Sequence, residues 1–275
     1  MAIFSLIGQI RYHKDMPKTR LDVLLVERRL AESRSQAQRL VMAGQVHVNG
    51  QVVYKPATSV PPEASIEIVS GPRYVSRGGE KLEAGLQAFG LVLKGCVCAD
   101  VGASTGGFTD CLLQRGAKKV FAIDVGHGLL DWKLRQDRRV VVMEDTNARY
   151  IESLPEPVEL VTIDASFISL KVLLPVVMRW LPGRGTIIAL VKPQFEAGRA
   201  QAARGKGVIR DPLVHRQVLL GMMHFAQDEG YGVRGLIQSP LHGPKGNLEF
   251  LVDLVYPGGE PADLEGMVDS LRLGE

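Results

Sequence analysis

A turn of small residues between a short apolar segment and a helical pattern is the part of this sequence best suited to bind a ligand. The apolar segment ends at Asp100, the helical pattern reaches about Arg115, and the following strand ends at Asp124. The turn and the start of the helical pattern consist of Gly102, Ala103, Ser104, Thr105, Gly106, Gly107 and Phe108. Glycines let a ligand approach the backbone, and the first turn of a helix offers unpaired N–H groups. Since a carboxylate at the end of the second strand can accept both hydroxyls of a ribose, Asp124 indicates an adenosine-type ligand.

The glycine spacing narrows the choice of ligand. Gly102 and the Gly106–Gly107 pair do not form G-x-G-x-x-G, and the sequence contains no G-x-x-x-x-G-K-[ST]. A dinucleotide or a nucleoside triphosphate is therefore less favoured than S-adenosylmethionine. Two alternatives stay open from these residues: glycines that only pack a strand-to-helix turn, and a nicotinamide dehydrogenase, which shares the acidic residue at the strand end.

The elements that must position this turn predict a parallel sheet. Apolar runs at 140–144, 158–164, 185–191, 233–239 and 248–256 predict strands, and helical patterns lie between most of them, notably at 170–180 and 212–229. Near-continuous Val, Ile and Leu runs that alternate with helices are typical of a Rossmann-like α/β sheet covered on both faces. Ligands bind at the carboxyl ends of such strands. Four acids, Asp100, Asp124, Asp145 and Asp164, stand at or next to these ends.

Length, composition and charge fit a large body with a basic appendage. The chain has 275 residues, of which 45% are hydrophobic and 23% charged, enough to bury a sizeable core. Residues 1–95 carry 13 Lys and Arg against 8 Asp and Glu, whereas the remainder carries 20 against 22. The basic N-terminal third therefore suggests a module that binds a polyanion.

Cysteine and hydropathy patterns argue against several other classes. The three cysteines, at 96, 98 and 111, include no C-x-x-C pair, which suits a reducing cytoplasm and speaks against a disulfide framework or a metal site. No run of 18 apolar residues predicts a membrane-spanning helix. The start AIFSLIGQI lacks a basic lead and a cleavage signal, so we expect residues 1–18 to form a poorly ordered extension rather than a signal peptide.

Residues 19–70 predict a small module of two helices and a hairpin. Leucines at 21, 24, 25 and 30 recur at helical spacing, and a second helical pattern, capped by Ser33 or Ser35, stops at Gly44. VHVNGQVV then alternates around an Asn-Gly pair, a strong hairpin signal, and SIEIV predicts a further strand. Residues 71–76 are typical of a linker, followed by a body at 77–257 and a C-terminal tail at 258–275.

The segment RLDVLLVERRLAESRSQAQRLVMAGQVHVNG resembles the RNA-binding module of ribosomal small-subunit protein four. In that family the second helix and the hairpin loop face RNA. The resemblance therefore nominates, as RNA-binding residues, Arg20, Arg34, Arg39, Gln45, His47, Asn49 and Lys55. Cationic side chains on one face bind phosphates with little sequence information. For any one arginine a solvated helix face is the favoured alternative, so the prediction rests on the set.

Five motifs, in order, resemble those of the TlyA family of ribosomal RNA methyltransferases: DVGASTGGFTD, AIDVGHG, IDASFISL, ALVKPQFE and SPLHGPKGNLEFL. The resemblance runs from about Thr19 to Tyr256 and implies a catalytic body of the FtsJ type. It implies S-adenosylmethionine-dependent 2′-O-methylation of cytidine ribose in ribosomal RNA, with ribosomal RNA within ribosomal subunits as the partner. The sequence leaves the oligomeric state open, with a monomer favoured. Members of the family have also been labelled haemolysins, but no strongly amphipathic basic helix supports a membrane-lytic alternative here.

FtsJ-type enzymes use a Lys-Asp-Lys-Glu tetrad, which the resemblance assigns to Lys81 in SRGGEKL, Asp164 in TIDASF, Lys192 in LVKPQF and Glu249 in GNLEFL. A ribose hydroxyl must lose its proton and align with the methyl donor. Lys192 follows a buried strand, where desolvation and repulsion from Lys81 favour the neutral amine, so it is the expected general base. Lys81 is expected to orient the hydroxyl, while Asp164 and Glu249 hold the ammonium groups. The alternative is that both lysines lie in surface ion pairs.

The remaining site predictions concern the cofactor and the target base. Asp100 and residues 102–108 are expected around the methionine half, and Asp145 at the adenine amino group, although its surroundings equally suit a polar turn. Phe167 either stacks on a target base or, as the favoured alternative, packs in the core. The segment at 196–210, rich in Gly and Arg, is expected to be a mobile loop over the RNA backbone. A body that docks on RNA without reacting is a further alternative, which the retention of all four tetrad residues disfavours.

Overall fold

The computed structural model describes residues 18–69, 71–271 and 273. The predicted extension at 1–18 therefore lies, except for its last residue, outside the described residues. The chain divides between Pro72 and Arg73 into two compact units, at a position inside the predicted linker. Each unit has its own apolar core.

The N-terminal unit consists of two short helices packed on small antiparallel sheets. Its elements are β1 (Thr19–Arg20), α1 (Leu21–Glu27), α2 (Arg34–Met42), β2 (Val46–Val48), β3 (Gln51–Val52), β4 (Ser59–Val60) and β5 (Ile66–Ile68). β1 pairs with β4, and β2 pairs with both β3 and β5. Asn49 and Gly50 have positive φ, as a tight β2–β3 turn requires, and the Ser33 side chain caps α2. The predicted helix pair and hairpin are therefore present.

The C-terminal unit alternates strands and helices around one seven-stranded sheet. Its strands are β6 (Val97–Val101), β7 (Lys119–Ile123), β8 (Val140–Met143), β9 (Leu160–Ile163), β10 (Gly185–Val191), β11 (Gly232–Gln238) and β12 (Phe250–Tyr256). Its helices are α3 (Gly78–Ala88), α4 (Gly107–Gln114), α5 (Trp132–Arg135), α6 (Leu170–Val177), α7 (Pro193–Glu196), α8 (Arg199–Arg204), α9 (Pro212–Asp228) and α10 (Leu264–Asp269). Short 3₁₀ turns lie at Ala148–Tyr150, Met178–Trp180 and Pro244–Gly246.

The sheet is mixed rather than wholly parallel. Its strand order is β11-β12-β10-β9-β6-β7-β8, and the pairs among β6 to β10 are parallel. β12 runs antiparallel to both of its neighbours, so the prediction of a parallel sheet is wrong for this strand. A short connection joins β11 to β12, and strands joined in that way run antiparallel. The sequence of β12 does not reveal its direction, because a strand between two others is buried on both faces in either orientation.

Helices cover both faces of this sheet. α6, α9 and α10 pack on one face, and α3, α4 and α5 pack on the other. Leu264 and Val268 of α10 are buried, so part of the predicted tail belongs to the folded unit. Tyr74 is also buried and donates its hydroxyl to Glu83 at 2.9 Å, which fixes the end of the predicted linker to α3. Within the described residues, no helix combines the length and the apolar character needed to cross a membrane.

Candidate active site

The carboxyl ends of β6, β9 and β10 meet the start of β12 at one edge of the sheet. Val191 at the end of β10 pairs with Phe250 at the start of β12. Lys192 directly follows Val191 and Glu249 directly precedes Phe250, so the two residues stand at the same end of neighbouring strands. β9 lies between β10 and β6, which makes Asp164 and the glycine turn neighbours as well. Adjacent strands are about 4.8 Å apart. Residues far apart in the sequence are thus brought to one edge of the sheet.

Lys192, which is buried, and Asp164, which is 21% exposed, form an ion pair at this edge. Lys192 Nζ lies 2.6 Å from Asp164 Oδ1 and donates to the Asp164 carbonyl oxygen at 3.3 Å. It also donates to Ser166 Oγ at 3.0 Å. The Lys192 side chain is only 9% exposed, and Pro193 begins α7 directly after it. Three oxygen partners on one short segment therefore fix a side chain that is flexible when unpaired.

Lys81 and Glu249 form a second ion pair, which is buried. Lys81 lies in the first turn of α3, and its Nζ is 2.5 Å from Glu249 Oε2. The two side chains are 10% and 0% exposed, and Glu249 Oε1 has no hydrogen-bond partner among the described residues. A Cβ on Gly243 would lie 2.6 Å from Glu249 Cδ, so glycine is needed beside this carboxylate. Burial of both lysines contradicts the alternative of surface ion pairs for Lys81 and Lys192.

A cavity of about 710 Å³, the polar cavity, opens beside these two pairs. Lys81 and Asp164, one member of each pair, line it, and so does most of the glycine turn. The turn residues in its wall are Gly102, Ala103, Ser104, Thr105, Gly107 and Phe108. The remaining wall consists of residues 76–78 and 242–245, which include the cationic side chains of Arg77 and Lys245. The polar cavity therefore suits an anionic or strongly polar ligand.

A second cavity of about 450 Å³, the apolar cavity, adjoins the first. Gly102, Ser104 and Asp164 line both cavities, so Asp164 stands at their junction. The apolar cavity has a largely aliphatic wall, formed by Val101, Ile123, Val125, Leu129, Ala148, Ile168 and Leu173. Its polar groups include Asp124. Small-molecule sites commonly have this composition, with an apolar wall and a few polar groups that fix orientation.

The glycine turn and Asp124 have the geometry that an adenosine ligand needs. Gly102 has φ +84°, and a Cβ there would lie 2.7 Å from the Asp164 carbonyl oxygen. The backbone N–H groups of Ser104 and Gly126 donate to the two Asp124 carboxylate oxygens at 2.8 and 2.7 Å. Each oxygen keeps lone pairs for a ribose hydroxyl, and the apolar walls can hold an adenine ring. These residues fit S-adenosylmethionine.

Asp100 does not face a ligand, in contrast to its prediction as a cofactor residue. Its side chain is fully buried and accepts the hydroxyls of Thr109 at 2.7 Å and Thr162 at 3.0 Å. Burial raises the pKa of this carboxyl to about 7. Asp100 lies inside β6, one residue before its end, so strand alternation turns its side chain toward the face that α4 covers. Its role is to join α4 to the sheet beneath the glycine turn.

Asp145 lies at the surface, where the predicted contact with adenine finds no support. Its side chain is 69% exposed, and Oδ2 lies 2.7 Å from His127 Nδ1. Asp145 has φ +51° in the loop after β8, which agrees with the alternative of a polar turn. Thr146 and Asn147, which sequence reasoning misses, line the apolar cavity. They belong to the same polar segment, EDTNAR, and lie one and two residues after the predicted Asp145.

Phe167 is exposed, so the favoured prediction of a core position is wrong. Its ring is 91% exposed and packs against Phe195 with the two centroids 5.0 Å apart. Its φ of +63° is strained for a bulky residue. Phe167 directly follows Ser166, a partner of Lys192, and it lines the apolar cavity. A flat apolar surface therefore adjoins the Lys192–Asp164 pair.

Residues 76–78 line the polar cavity, whereas the segment at 196–210 does not line it. Residues 76–78 are missed, although the adjacent glycines at 78 and 79 signal a close backbone approach just before Lys81. Arg77 joins them to the other wall by donating to the His242 carbonyl at 2.8 Å. The predicted mobile loop at 196–210 contains helix α8, and Asn247 binds Gly207 and Ile209 within it. This segment is therefore partly helical and held by side-chain hydrogen bonds, in contrast to the mobile loop that was expected.

The predicted RNA-binding residues of the N-terminal unit fall into three groups. Arg39 and Lys55 are exposed, and Gln45 and His47 are half-buried. Asn49 serves the hairpin itself, since its Oδ1 accepts the Ser65 N–H at 3.0 Å. Arg20 and Arg34 both bind the buried carboxylate of Asp22, a residue that sequence reasoning misses. Its only signal was that it interrupts the apolar residues of RLDVLL two positions after Arg20.

Two protein families match this chain. The FtsJ-like methyltransferase family matches residues 74–256, and the S4 domain matches residues 19–66. A Bacillus subtilis protein provisionally named as the rRNA methyltransferase YqxC is 50% identical over 248 residues, 88% of this chain and 87% of that protein. The 16S/23S rRNA (cytidine-2′-O)-methyltransferase TlyA of Mycobacterium tuberculosis is 43% identical over 259 residues, 93% of this chain and 96% of that protein.

A solved structure from Streptococcus thermophilus, of a protein provisionally named as a haemolysin, agrees with these matches. It is 44% identical, covers 93% of this chain and 96% of its own, and superposes with a TM-score of 0.69. The prediction of S-adenosylmethionine as cofactor is confirmed by the family match. The chain belongs to the FtsJ-like methyltransferase family, within its TlyA group with an N-terminal S4 domain, and is an S-adenosylmethionine-dependent methyltransferase.

Proposed function

We propose that this enzyme methylates the 2′-hydroxyl of cytidine ribose in ribosomal RNA, with Lys81, Asp164, Lys192 and Glu249 acting together as its tetrad. The observation that carries the proposal is that two ion pairs, each with a buried lysine, meet at one edge of the sheet, with one member of each pair in the wall of the polar cavity. The names of the two relatives support ribosomal RNA as the substrate, and that of the Mycobacterium tuberculosis enzyme supports cytidine 2′-oxygen as the target.

The reaction requires that the ribose hydroxyl lose its proton while its oxygen is aligned with the methyl group. Alignment and general base catalysis each lower such a barrier by several kcal/mol. S-adenosylmethionine supplies an activated methyl group when bound. It would be held by Asp124, by the glycine turn and by the residues that line the apolar cavity. The chain's own task is therefore to position the nucleotide and to accept its proton.

Lys192 is the proposed general base. Once Lys192 has released the proton that its ammonium carries in the resting ion pair, its amine would accept the 2′-hydroxyl proton, and Asp164, with Oδ1 at 2.6 Å, would stabilise the ammonium that forms. Ser166 at 3.0 Å and the Asp164 carbonyl at 3.3 Å restrict the position of Nζ before the nucleotide arrives. Burial of the lysine excludes bulk water, which strengthens these electrostatic contacts.

Lys81 is the proposed orienting residue. It lines the polar cavity and is held by Glu249 at 2.5 Å, so its ammonium can donate to the hydroxyl oxygen of a nucleotide in that cavity. A positive charge at this place favours the oxygen as it gains negative charge in the transition state. Glu249 thereby acts through Lys81, whereas Asp164 acts through Lys192.

Phe167 and the N-terminal unit are proposed to bind the RNA. A target base can stack on the exposed Phe167 ring, an interaction that contributes about 1–3 kcal/mol per base. Strained backbone of the kind seen at Phe167 is often retained where function requires it. The S4 domain match at 19–66, with exposed Arg39 and Lys55, supports docking of the N-terminal unit on ribosomal RNA.

Methyl transfer from radiolabelled S-adenosylmethionine to isolated ribosomal subunits tests this proposal, followed by mapping of the methylated riboses. The wild type is expected to label cytidine 2′-oxygens. Lys192→Ala is expected to lower turnover by about 10³-fold or more, while the Kd for S-adenosylhomocysteine stays within about twofold. Lys118→Ala removes an exposed lysine of the same unit and is expected to behave as the wild type.

Three outcomes would contradict parts of the proposal. Wild-type turnover by Lys192→Ala would remove Lys192 from the mechanism. Cofactor binding without methylation of either subunit would favour a protein that docks on RNA without catalysis. Methylation of a base, or of a ribose other than cytidine, would retain the enzyme but exclude the proposed target.

A further inference from the structure

A charged cluster in the N-terminal unit, the arginine clamp, consists of Arg20, Asp22, Arg34 and Gln38. The Asp22 carboxylate is fully buried and lies at its centre. Arg20 donates to it twice, from Nε to Oδ1 and from Nη2 to Oδ2, both at 3.0 Å. Arg34 Nε donates to Oδ2 at 3.0 Å and Gln38 Nε2 to the same oxygen at 2.9 Å. One carboxylate therefore fixes two guanidinium groups, which come from β1 and α2.

Both guanidinium groups of the clamp stay partly open to solvent. The side chains of Arg20 and Arg34 are 46% and 56% exposed. A guanidinium has about five N–H donors in one plane, and the bonds to Asp22 use two from Arg20 and one from Arg34. Because these bonds fix the planes, the other donors have a set direction before any ligand binds.

Charge attraction alone does not explain this arrangement. Asp22 cancels one of the two positive charges beside it, and attraction to RNA phosphates would be stronger without it. Its bond to Arg20 holds the pKa of Asp22 well below its usual range, so the carboxylate is charged at physiological pH. What Asp22 can add to binding is therefore the orientation of the arginines rather than charge.

We propose that Asp22 is a positioning residue for RNA binding, which holds Arg20 and Arg34 so that their exposed N–H groups bind phosphates of the RNA backbone. The inference rests on the proposed function, which supplies RNA as the substrate. Planar guanidinium groups bind phosphate through paired hydrogen bonds. Ordering a long side chain on binding costs conformational entropy, and the clamp removes this cost from the binding step.

Asp22→Asn in the full-length protein tests the inference, because charge and orientation predict opposite signs. The probe is a labelled stem-loop RNA, titrated between about 50 and 200 mM salt. The variant adds one positive charge but loses the clamp, so we expect affinity to fall about tenfold and the salt slope to decrease by about 1 to 2. Glu27→Gln, an exposed site on α1 with the same charge change, is the control and is expected to bind at least as tightly as the wild type.

Equal or tighter binding by a folded Asp22→Asn variant would overturn the inference. If the variant unfolds, as circular dichroism would show, Arg34→Lys compared with Arg29→Lys, at an exposed arginine of the same unit outside the predicted RNA-binding set, decides the question at constant charge. Weaker binding by Arg34→Lys alone, by about fivefold or more, supports the clamp, since lysine cannot make the Nε bond, and equal binding by the two overturns it.

The wild-type methyl transfer assay separates this inference from the proposed function. If the wild type transfers methyl groups to ribosomal RNA and Asp22→Asn binds RNA as tightly as the wild type, the clamp is contradicted and the proposed reaction is not. RNA binding that depends on Asp22, in a protein that methylates no ribosomal RNA, supports the clamp and contradicts the proposed reaction.

Discussion

Replacing Lys81 by methionine tests whether the Lys81–Glu249 pair acts as a buried charge pair. The variant keeps most of the Lys81 stem but leaves the Glu249 carboxylate buried, since Oε2 loses Lys81 and Oε1 has no partner among the described residues. Removing one partner of a buried pair costs about 3–5 kcal/mol. We expect a loss of this size in the free energy of unfolding, a large share of the roughly 5–15 kcal/mol of a typical domain.

The double variant separates stability from catalysis. Glu249→Met alone leaves Lys81, which lines the polar cavity and can reach water, so the expected loss is smaller, about 1–3 kcal/mol. Lys81→Met/Glu249→Met removes both charges and fills the space with two unbranched apolar side chains. Its stability is expected to lie within about 1.5 kcal/mol of the wild type, which makes the two effects strongly non-additive. Methyl transfer is expected to be lost in all three variants.

Urea unfolding monitored by tryptophan fluorescence measures these stabilities in the relevant unit. Trp132 and Trp180 are the two tryptophans of the chain, and both belong to the C-terminal unit. Arg216→Met is the matched control: Arg216 pairs with Glu265, the side chains are 38% and 58% exposed, and the loss of stability is expected to be much smaller than that of Lys81→Met. A loss below about 1 kcal/mol in Lys81→Met, or no recovery in the double variant, would refute the buried pair. Methyl transfer by the double variant would exclude the pair from catalysis.

Three further predictions concern neighbouring residues. The unfolded chain releases the Asp100 proton near pH 4 and the folded protein near pH 7, so the stability that this group contributes falls as the pH rises through that window. Between pH 5 and pH 8 the wild type should lose at most about 3 kcal/mol from this source in urea unfolding, and Asp100→Asn should lack the loss; the same stability difference between the two proteins at both pH values would contradict the raised pKa. Gly243→Ala should displace the Glu249 carboxylate and lower kcat by about 10²-fold, whereas Gly259→Ala, where a Cβ meets nothing within 4 Å, should leave kcat unchanged. Adding Glu249→Asp to Gly243→Ala should restore part of the lost kcat, and no restoration would argue against a steric cause. Phe167→Ala should raise the KM for RNA by about 5- to 100-fold, because the base loses its stacking partner. The midpoint of unfolding should stay the same because the ring is 91% exposed, and an unchanged KM would exclude base stacking.

Local sequence patterns were sufficient for much of the fold. The glycine turn, the two strands beside it and the helix that follows are short-range features, and each is present where predicted. The same holds for the hairpin at Asn49 and Gly50, whose positive φ values only a few residue types adopt readily. Asp124 follows the last residue of β7, outside the strand, and lines the apolar cavity.

Three features that periodicity does not resolve account for the predictions that failed: the exact end of a strand, the backbone conformation of a loop and the connection between two strands. Asp100 and Asp164 both stand near strand ends, but Asp100 is inside β6 and faces α4, whereas Asp164 follows β9 and lines both cavities. Periodicity places such an end only to within a few residues, which is too coarse to assign the direction of a side chain. The exposure of Phe167 is likewise set by its positive φ, which the sequence ASFIS does not signal. The direction of β12 depends on its connection to β11, not on its own residues.

Glycines specify the geometry of the proposed tetrad as strictly as the charged residues do. A Cβ on Gly102 would lie 2.7 Å from the Asp164 carbonyl oxygen, and one on Gly107 would lie 2.8 Å from the backbone nitrogen of Gly79, two residues before Lys81. Together with Gly243, which adjoins the Glu249 carboxylate, these glycines leave space for the Asp164 backbone and for the backbone that leads to Lys81. A relative that keeps all four charged residues but carries a larger side chain at one of these positions should therefore bind S-adenosylmethionine poorly or transfer its methyl group slowly. Retention of Lys81, Asp164, Lys192 and Glu249 alone is thus an insufficient criterion for activity, because their side chains converge only where the neighbouring backbone has no Cβ.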